Sequence, residues 1–245
     1  MSRPAALFQL SPALDRRALA ERFAADQRIQ IRDVLTPGTA TEVQRVLAQH
    51  TPWAVAWQAG RDGPHVIRRE QLQRLTGAEN EAIGQKIRAA IQGDDYAFSY
   101  SSYPMLDAYL ARWNPGGPHD LLLEYLNAPE FLDFIRQVTG IPELLKADAQ
   151  ATLYAPGQFL AEHDDHGGEE GRRVAYVLNM TLGKWRQDWG GYLLFFDDDG
   201  DIVAGFRPRF NALNLFTVPQ RHNVSYVPPF SPVGRYAITG WFRDR

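Results

Sequence analysis

The 245-residue chain has no cysteine, which excludes disulfides, thiolate nucleophiles and cysteine-ligated zinc or iron–sulfur centres. No sign of charge dominates either. With 26 basic residues against 29 acidic and a net charge of −3, no case arises for direct nucleic-acid binding, which calls for a clustered basic face. Long apolar runs are missing too: the longest clusters are short, such as Tyr192-Leu-Leu-Phe-Phe196, against the roughly 20 residues of a membrane span. Residues 1–10 hold an early arginine and no sustained apolar region, so neither membrane association nor a signal peptide is expected. The expectation is a cytoplasmic protein.

What is present suits a folded domain. Apolar residues make up 44% and charged residues 22% of the chain, and a chain of this size buries roughly 70–75% of its unfolded surface. There are no internal repeats, but the two parts read differently. Residues 1–145 are mainly helical in pattern, with a few strands. Ser11-Pro12 reads as an N-cap and first turn ahead of Leu14, Ala18, Leu19 and Phe23 at helical spacing. Further helices are predicted over 41–50, 78–91, 119–127 and 129–138, and strands over 28–32 and 53–57. Residues 95–118 are rich in aromatics and turn formers.

From 146 to 245 the texture changes to short strands set apart by Gly, Pro, Asn and Asp, at 149–154, 173–181, 191–196, 202–206, 212–218, 222–227 and 235–242. That punctuation indicates a sandwich or barrel and not a parallel α/β sheet. The predicted fold is α+β, a double-stranded β-helix (jelly-roll) core under a helical N-terminal layer, forming one cooperative unit.

Two groups of residues could carry chemistry. In His163-Asp164-Asp165-His166, His163 and Asp165 are two apart, so in an extended segment both side chains leave on one face. An imidazole and a carboxylate there supply two ligands of a 2-His-1-carboxylate facial triad. His222, 59 residues on at the start of a predicted strand, offers the third. The plainer reading of His-x-Asp is a polar loop, as for Asp164 and His166; His50, His65 and His119 read as surface or capping residues. In 235–242, Arg235, Ala237, Thr239 and Trp241 share one strand face. A buried arginine there needs an anion, because an unpaired buried charge costs several kcal/mol. Either a bound carboxylate or a protein Asp or Glu would serve.

Taken in order, Tyr154, Gly157, His163-x-Asp165, Arg172-Arg173, Gly190-Gly191, His222 and Arg235 resemble the Fe(II)/2-oxoglutarate-dependent oxygenases of the prolyl-hydroxylase branch. The stretches 159–165, 172–178 and 189–195 look most like the ribosomal-protein prolyl hydroxylases. The resemblance implies Fe(II) on His163, Asp165 and His222, and 2-oxoglutarate with its distal carboxylate on Arg235 beside Thr239 and near Tyr154. Asn179 stands where that family usually places a second tyrosine, and water could bridge the shorter amide. It further implies O2 as co-substrate, ascorbate as reductant, and hydroxylation of a prolyl residue in a protein or peptide, a ribosomal or translation component among the candidates. Hydroxylation of a free amino acid or small metabolite is the alternative within the class. A cupin-like non-oxidative metalloprotein is the alternative outside it, and would leave Arg235 and Thr239 without a task.

The remaining features read plainly. Asp197-Asp-Asp-Gly-Asp201 is expected to be a hairpin turn and not a calcium loop. Arg172, Arg173, Arg207 and Arg209 read as solvated strand ends. The aromatics of 98–113 are core, with Tyr100, Tyr103 or Trp113 as candidates to line the mouth of the site and receive a proline-bearing peptide.

Overall fold

The computed structural model describes residues 8–166 and 171–245; of the N-terminal stretch read above, 1–7 lie outside them. Helix α1 (Arg16–Asp26) begins later than Ser11-Pro12 suggests. Asp15 is its cap, the carboxylate accepting from the Ala18 amide at 3.0 Å, while the Ser11 amide donates to the Val34 carbonyl at 2.8 Å. Strand β1 (Arg28–Arg32) follows, then α2 (Pro37–Arg45), opened by proline in its first turn and running into a π-helical turn at Val46–His50. Strands β2 (Ala54–Ala59) and β3 (Asp62–Ile67) form a hairpin, and a short α3 (Arg69–Leu72) precedes α4 (Gly77–Gln92). A capping box starts α4: Glu79 accepts from the Thr76 amide at 2.8 Å, and the Thr76 hydroxyl accepts from the Glu79 amide at 3.2 Å.

The aromatic segment splits into β4 (Ala97–Tyr103) and α5 (Met105–Leu110). Helices α6 (Pro118–Leu126) and α7 (Pro129–Thr139) follow, the latter ending on Gly140 at φ 70°, a left-handed cap that glycine takes without strain. The remaining strands are β5 (Lys146–Ala147), β6 (Gln150–Tyr154), β7 (Phe159–His163), β8 (Arg172–Met180), β9 (Leu193–Phe196), β10 (Ile202–Phe206), β11 (Phe210–Thr217), β12 (His222–Val224) and β13 (Arg235–Arg243).

Every strand pairing is antiparallel, in the order β1-β11-β8-β13-β6-β4-β7-β12-β9-β10. The result is a nearly closed barrel, the jelly-roll predicted from the strand spacing. Strand β4 joins its two faces, since Ser101 to Tyr103 pair with β6 while Phe98 and Ser99 pair with β7. The opposite side, between β1 and β10, stays open.

Alternation along β8 and β13 separates two apolar layers. Val174, Tyr176, Leu178, Ile238 and Phe242 pack outward with Phe131, Phe134, Ile135 and the other helix residues. Ala175, Val177 and Ala237 face inward with Leu193, Phe195 and Phe216. Each such large side chain taken from water contributes roughly 1.5–3 kcal/mol. Burial on both faces explains why β8 reads as one apolar run. The 197–201 stretch is the expected hairpin turn, with Asp197 Oδ1 accepting from the amides of Asp199 and Asp201 at 3.1 and 2.9 Å. No helix among the described residues is long and apolar enough to cross a membrane.

Candidate metal centre and its cavity

His163 ends β7 and His222 begins β12, and the two are cross-strand partners. Their rings lie 4.1 Å apart between centroids. Each fixes its own tautomer through the backbone: His163 Nδ1 contacts the Ala161 carbonyl at 2.9 Å and His222 Nδ1 the Gln220 carbonyl at 2.7 Å. A proton on Nδ1 leaves the Nε2 lone pair free on both rings.

Those Nε2 atoms meet Asp165, whose Oδ1 is 3.5 Å from His163 and whose Oδ2 is 3.4 Å from His222. Strand alternation does not bring the carboxylate there. The strand ends at His163, and Asp165 stands at φ 60°, a left-handed residue that turns its side chain back between the imidazoles. One donor atom from each of the three lies within 4.8 Å of the others, a nitrogen–nitrogen–oxygen set suited to a divalent transition metal. Burial, then the neighbouring His163, pushes His222 down to about 4, with Asp165 opposing, so the imidazole is neutral and ready to act as a ligand at neutral pH. Asp164 and His166 remain exposed loop residues, the Asp164 carboxylate accepting from the His166 amide at 2.9 Å.

A cavity of about 170 Å³ connects this triad to Arg235. Arg235 lies on β13 opposite Tyr154 of β6, and only 1% of its surface is exposed. Among the described residues no carboxylate pairs with it. Its Nε donates to Asn179 Oδ1 at 3.3 Å, and its carbon Cζ stands 5.3 Å from the Tyr154 ring centre. Arg235 Nη1 and Asn179 Nδ2 are both buried without a partner. Burial pulls the guanidinium down to about 10, with Tyr154 opposing. Two orphaned donors side by side are costly unless an acceptor completes them. Of the two anions the sequence leaves open for Arg235, the protein carboxylate is not found among the described residues.

Thr239 and Tyr154 line the same cavity, while Asn179 bonds to Arg235 from β8. Gly190, at φ 59°, lets the chain pass where a Cβ would overlap the Tyr226 carbonyl, and its own carbonyl accepts from Trp185 Nε1 at 2.9 Å.

Two lining residues escaped the sequence reading, Tyr96 and Gln150. Tyr100, one of the three mouth candidates, lines the cavity; the other two lie elsewhere. Tyr103 points to the opposite face of β4 and packs 4.5 Å from His119 and 6.0 Å from Trp113 between ring centroids. His119 is likewise no surface residue: it is 5% exposed, its Nε2 is 3.0 Å from Thr51 Oγ1, and burial pushes it down to about 4. Reading 97–103 as a strand would have put Phe98 and Tyr100 on one face and Tyr103 on the other.

Residues 149–243 match the family described as the 2OG-Fe(II) oxygenase superfamily. No curated protein matches the chain significantly. In fold the chain is similar to a Pseudomonas putida prolyl-4-hydroxylase (21% identity, 94% of this chain and 99% of that one, TM-score 0.59). It is similar also to a Trichoplax adhaerens prolyl hydroxylase in complex with a hypoxia-inducible-factor peptide fragment (18% identity, 94% and 89%, TM-score 0.61). A third likeness is to a 2OG-Fe(II) oxygenase family oxidoreductase from Burkholderia pseudomallei (10% identity, 97% and 94%, TM-score 0.60). With the barrel and the donor set, the family match over residues 149–243 supports a 2-oxoglutarate-dependent dioxygenase, a class whose reaction uses Fe(II), 2-oxoglutarate and O2.

Proposed function

We propose that the protein hydroxylates a prolyl residue in a polypeptide, with His163, Asp165 and His222 as iron ligands and Arg235 as the anchor of 2-oxoglutarate. The observation that carries the assignment is the pair of buried, unpartnered donors, Arg235 Nη1, on a residue that lines the cavity opening on the triad, and Asn179 Nδ2, on the residue bonded to it. A carboxylate satisfies both, and guanidinium binds carboxylate through parallel hydrogen bonds. Thr239 adds a hydroxyl on the same strand face, and Tyr154 closes the wall opposite Arg235.

Iron held there would activate O2, one oxygen atom going to the substrate C–H bond and the other to 2-oxoglutarate, which would leave as succinate and CO2. The chain's own tasks are orientation and exclusion of water. The two imidazoles present Nε2, the turn at Asp165 aims one carboxylate between them, and Leu193, Phe216 and Val224 keep the wall apolar. Tyr96, 37% exposed and edge-on to His163 at 6.3 Å, stands at the rim and gives a flat surface for a pyrrolidine ring.

A protein substrate agrees with the peptide-bound Trichoplax neighbour, and a cytoplasmic ribosomal or translation component with the likeness of 159–165, 172–178 and 189–195 to the ribosomal-protein prolyl hydroxylases. The test is tandem mass spectrometry of ribosomal-protein peptides incubated with enzyme, Fe(II), 2-oxoglutarate and O2. One added oxygen on proline, matched by succinate, is expected. Succinate release stimulated by free proline and by none of the peptides would favour a metabolite hydroxylase instead.

A further inference from the structure

A second hollow lies outside the barrel. A groove of about 1040 Å³ runs along the open side, between α1 and β1 on one flank and β10 on the other. Five arginines line it: Arg22 from α1, Arg28 and Arg32 from β1, and Arg207 and Arg209 from the link between β10 and β11. Among the described residues none of the five is ion-paired, whereas the surface arginines Arg17, Arg88 and Arg221 all are.

Their side-chain partners are neutral. Arg28 Nη1 donates to Gln220 Oε1 at 3.2 Å and Arg209 Nε to Gln30 Oε1 at 2.9 Å, while Arg207 Nε is buried with no partner. The carboxylates of the lining, Asp15 and Asp26, pair with none of them, and Asp15 is committed to the α1 cap. Like charges gathered without a counter-charge repel one another, and an incoming anion relieves that repulsion.

The strands say what kind of anion fits. Ile29 and Ile31 enter the core while Arg28, Gln30 and Arg32 face outward, so Arg28 and Arg32 are set about 13 Å apart along an extended backbone. An extended polypeptide repeats its side chains with the same pitch. Among the described residues, strands β1 and β10 each have a partner on one edge only, β11 and β9, and a free edge offers main-chain donors and acceptors to another strand. A nucleic-acid backbone would use the arginines and leave those edges unsatisfied.

We propose that this groove docks an extended acidic segment of a partner protein, with carboxylates at alternate positions on the arginines and the main chain along a strand edge. One end of the groove reaches toward the metal site: Arg28 Cζ is 5.3 Å from the Phe195 ring centre, which is 6.1 Å from that of His222. Docking itself needs neither metal nor co-substrate.

Fluorescence anisotropy of a labelled dodecapeptide alternating Glu and Ser, titrated with the full chain at low salt, tests this. Binding that disappears with a Gln-Ser peptide is expected, with a Kd raised at least about tenfold in R22E/R32E. Both positions are exposed, and circular dichroism checks the fold; the single variants R22Q and R32Q serve if the double one does not fold. No binding of the acidic peptide, unchanged binding by the folded variants, or tighter binding of a twelve-nucleotide oligouridylate would each overturn the proposal.

Discussion

His163 and His222 face one another across the β7–β12 pair, and each holds its Nδ1 on the carbonyl two residues earlier in its own chain segment. The backbone thus sets both tautomers before any metal arrives. Asp165, turned back by its left-handed backbone, completes the set with one oxygen toward each ring.

The Arg235–Asn179 pair gives the sharpest mutational test. Arg235 is buried without an anion, so Arg235→Met is expected to raise the KM for 2-oxoglutarate by more than about 100-fold, the loss of a charge-assisted pair. Thermal stability without co-substrate should stay within about 1 kcal/mol of wild type, because an apolar side chain replaces an uncompensated charge. Asn179→Leu is expected to raise the same KM by roughly tenfold. Unfolding of Arg235→Met at room temperature, with no recovery on adding salt or co-substrate, would speak for a structural arginine.

Tyr96 and Tyr103 sit seven residues apart and on different sides of β4 in their consequences. Tyr96→Ala should weaken peptide hydroxylation while sparing peptide-independent 2-oxoglutarate turnover, since Tyr96 stands at the rim of the cavity. Tyr103→Ala removes a ring packed on His119 and Trp113 and should cost about 3 kcal/mol of stability with no change in KM for 2-oxoglutarate. Parallel chemical denaturation and steady-state kinetics separate the two; equal effects of the variants on both readouts would contradict this placement.

A buried neutral histidine makes stability depend on pH. His119 is pushed down to about 4 by burial, with Asp120 opposing. As pH falls below about 6.5 the unfolded chain takes up a proton that folded His119 refuses until about 4, so stability is lost as pH falls through that window. The loss attributable to His119 reaches about 3 kcal/mol. His222 contributes in the same direction, so the comparison is His119→Gln against wild type: urea midpoints should fall less steeply between pH 6.5 and 4.5 in the variant. Parallel profiles would show that His119 is freely protonated in the fold.

Although residues 1–145 and 146–245 differ in pattern, β4 pairs with both β6 and β7, and β1 extends the sheet beyond β11. Calorimetry of the whole chain should show one transition, and a fragment starting at residue 146 should be insoluble, having lost the link between the barrel faces and the helices over its apolar side. Two separate transitions, or a folded fragment, would divide the chain into independent units.

Much of this was legible in the sequence because its carriers are local. The alternation in 235–242 put Arg235 and Thr239 on one face, and the turn punctuation after 146 gave the barrel. What escaped depended on pairing at a distance. Strand β4 hides among aromatics that suit core, helix or strand alike, and only its registry with β2, β6 and β7 settles it. Hence Tyr96 goes unplaced, and Tyr103 stands beside Tyr100 as a mouth candidate although it lies on the other face. His119 looked exposed because nothing nearby in sequence announces Thr51, 68 residues away. Arg207 and Arg209 read as solvated strand ends, since the open side of the barrel that collects them with Arg22, Arg28 and Arg32 exists only in three dimensions.

The central claim is that His163, Asp165 and His222 hold iron beside a 2-oxoglutarate anchored on Arg235. Mixing the metal-free protein with Fe(II) and 2-oxoglutarate without oxygen, and recording the visible spectrum, tests it directly. The account predicts a metal-to-ligand charge-transfer band that needs both additions, is abolished in His163→Ala and is weakened in Arg235→Met. A properly folded protein that gives no band, or a band untouched by His163→Ala, would contradict it.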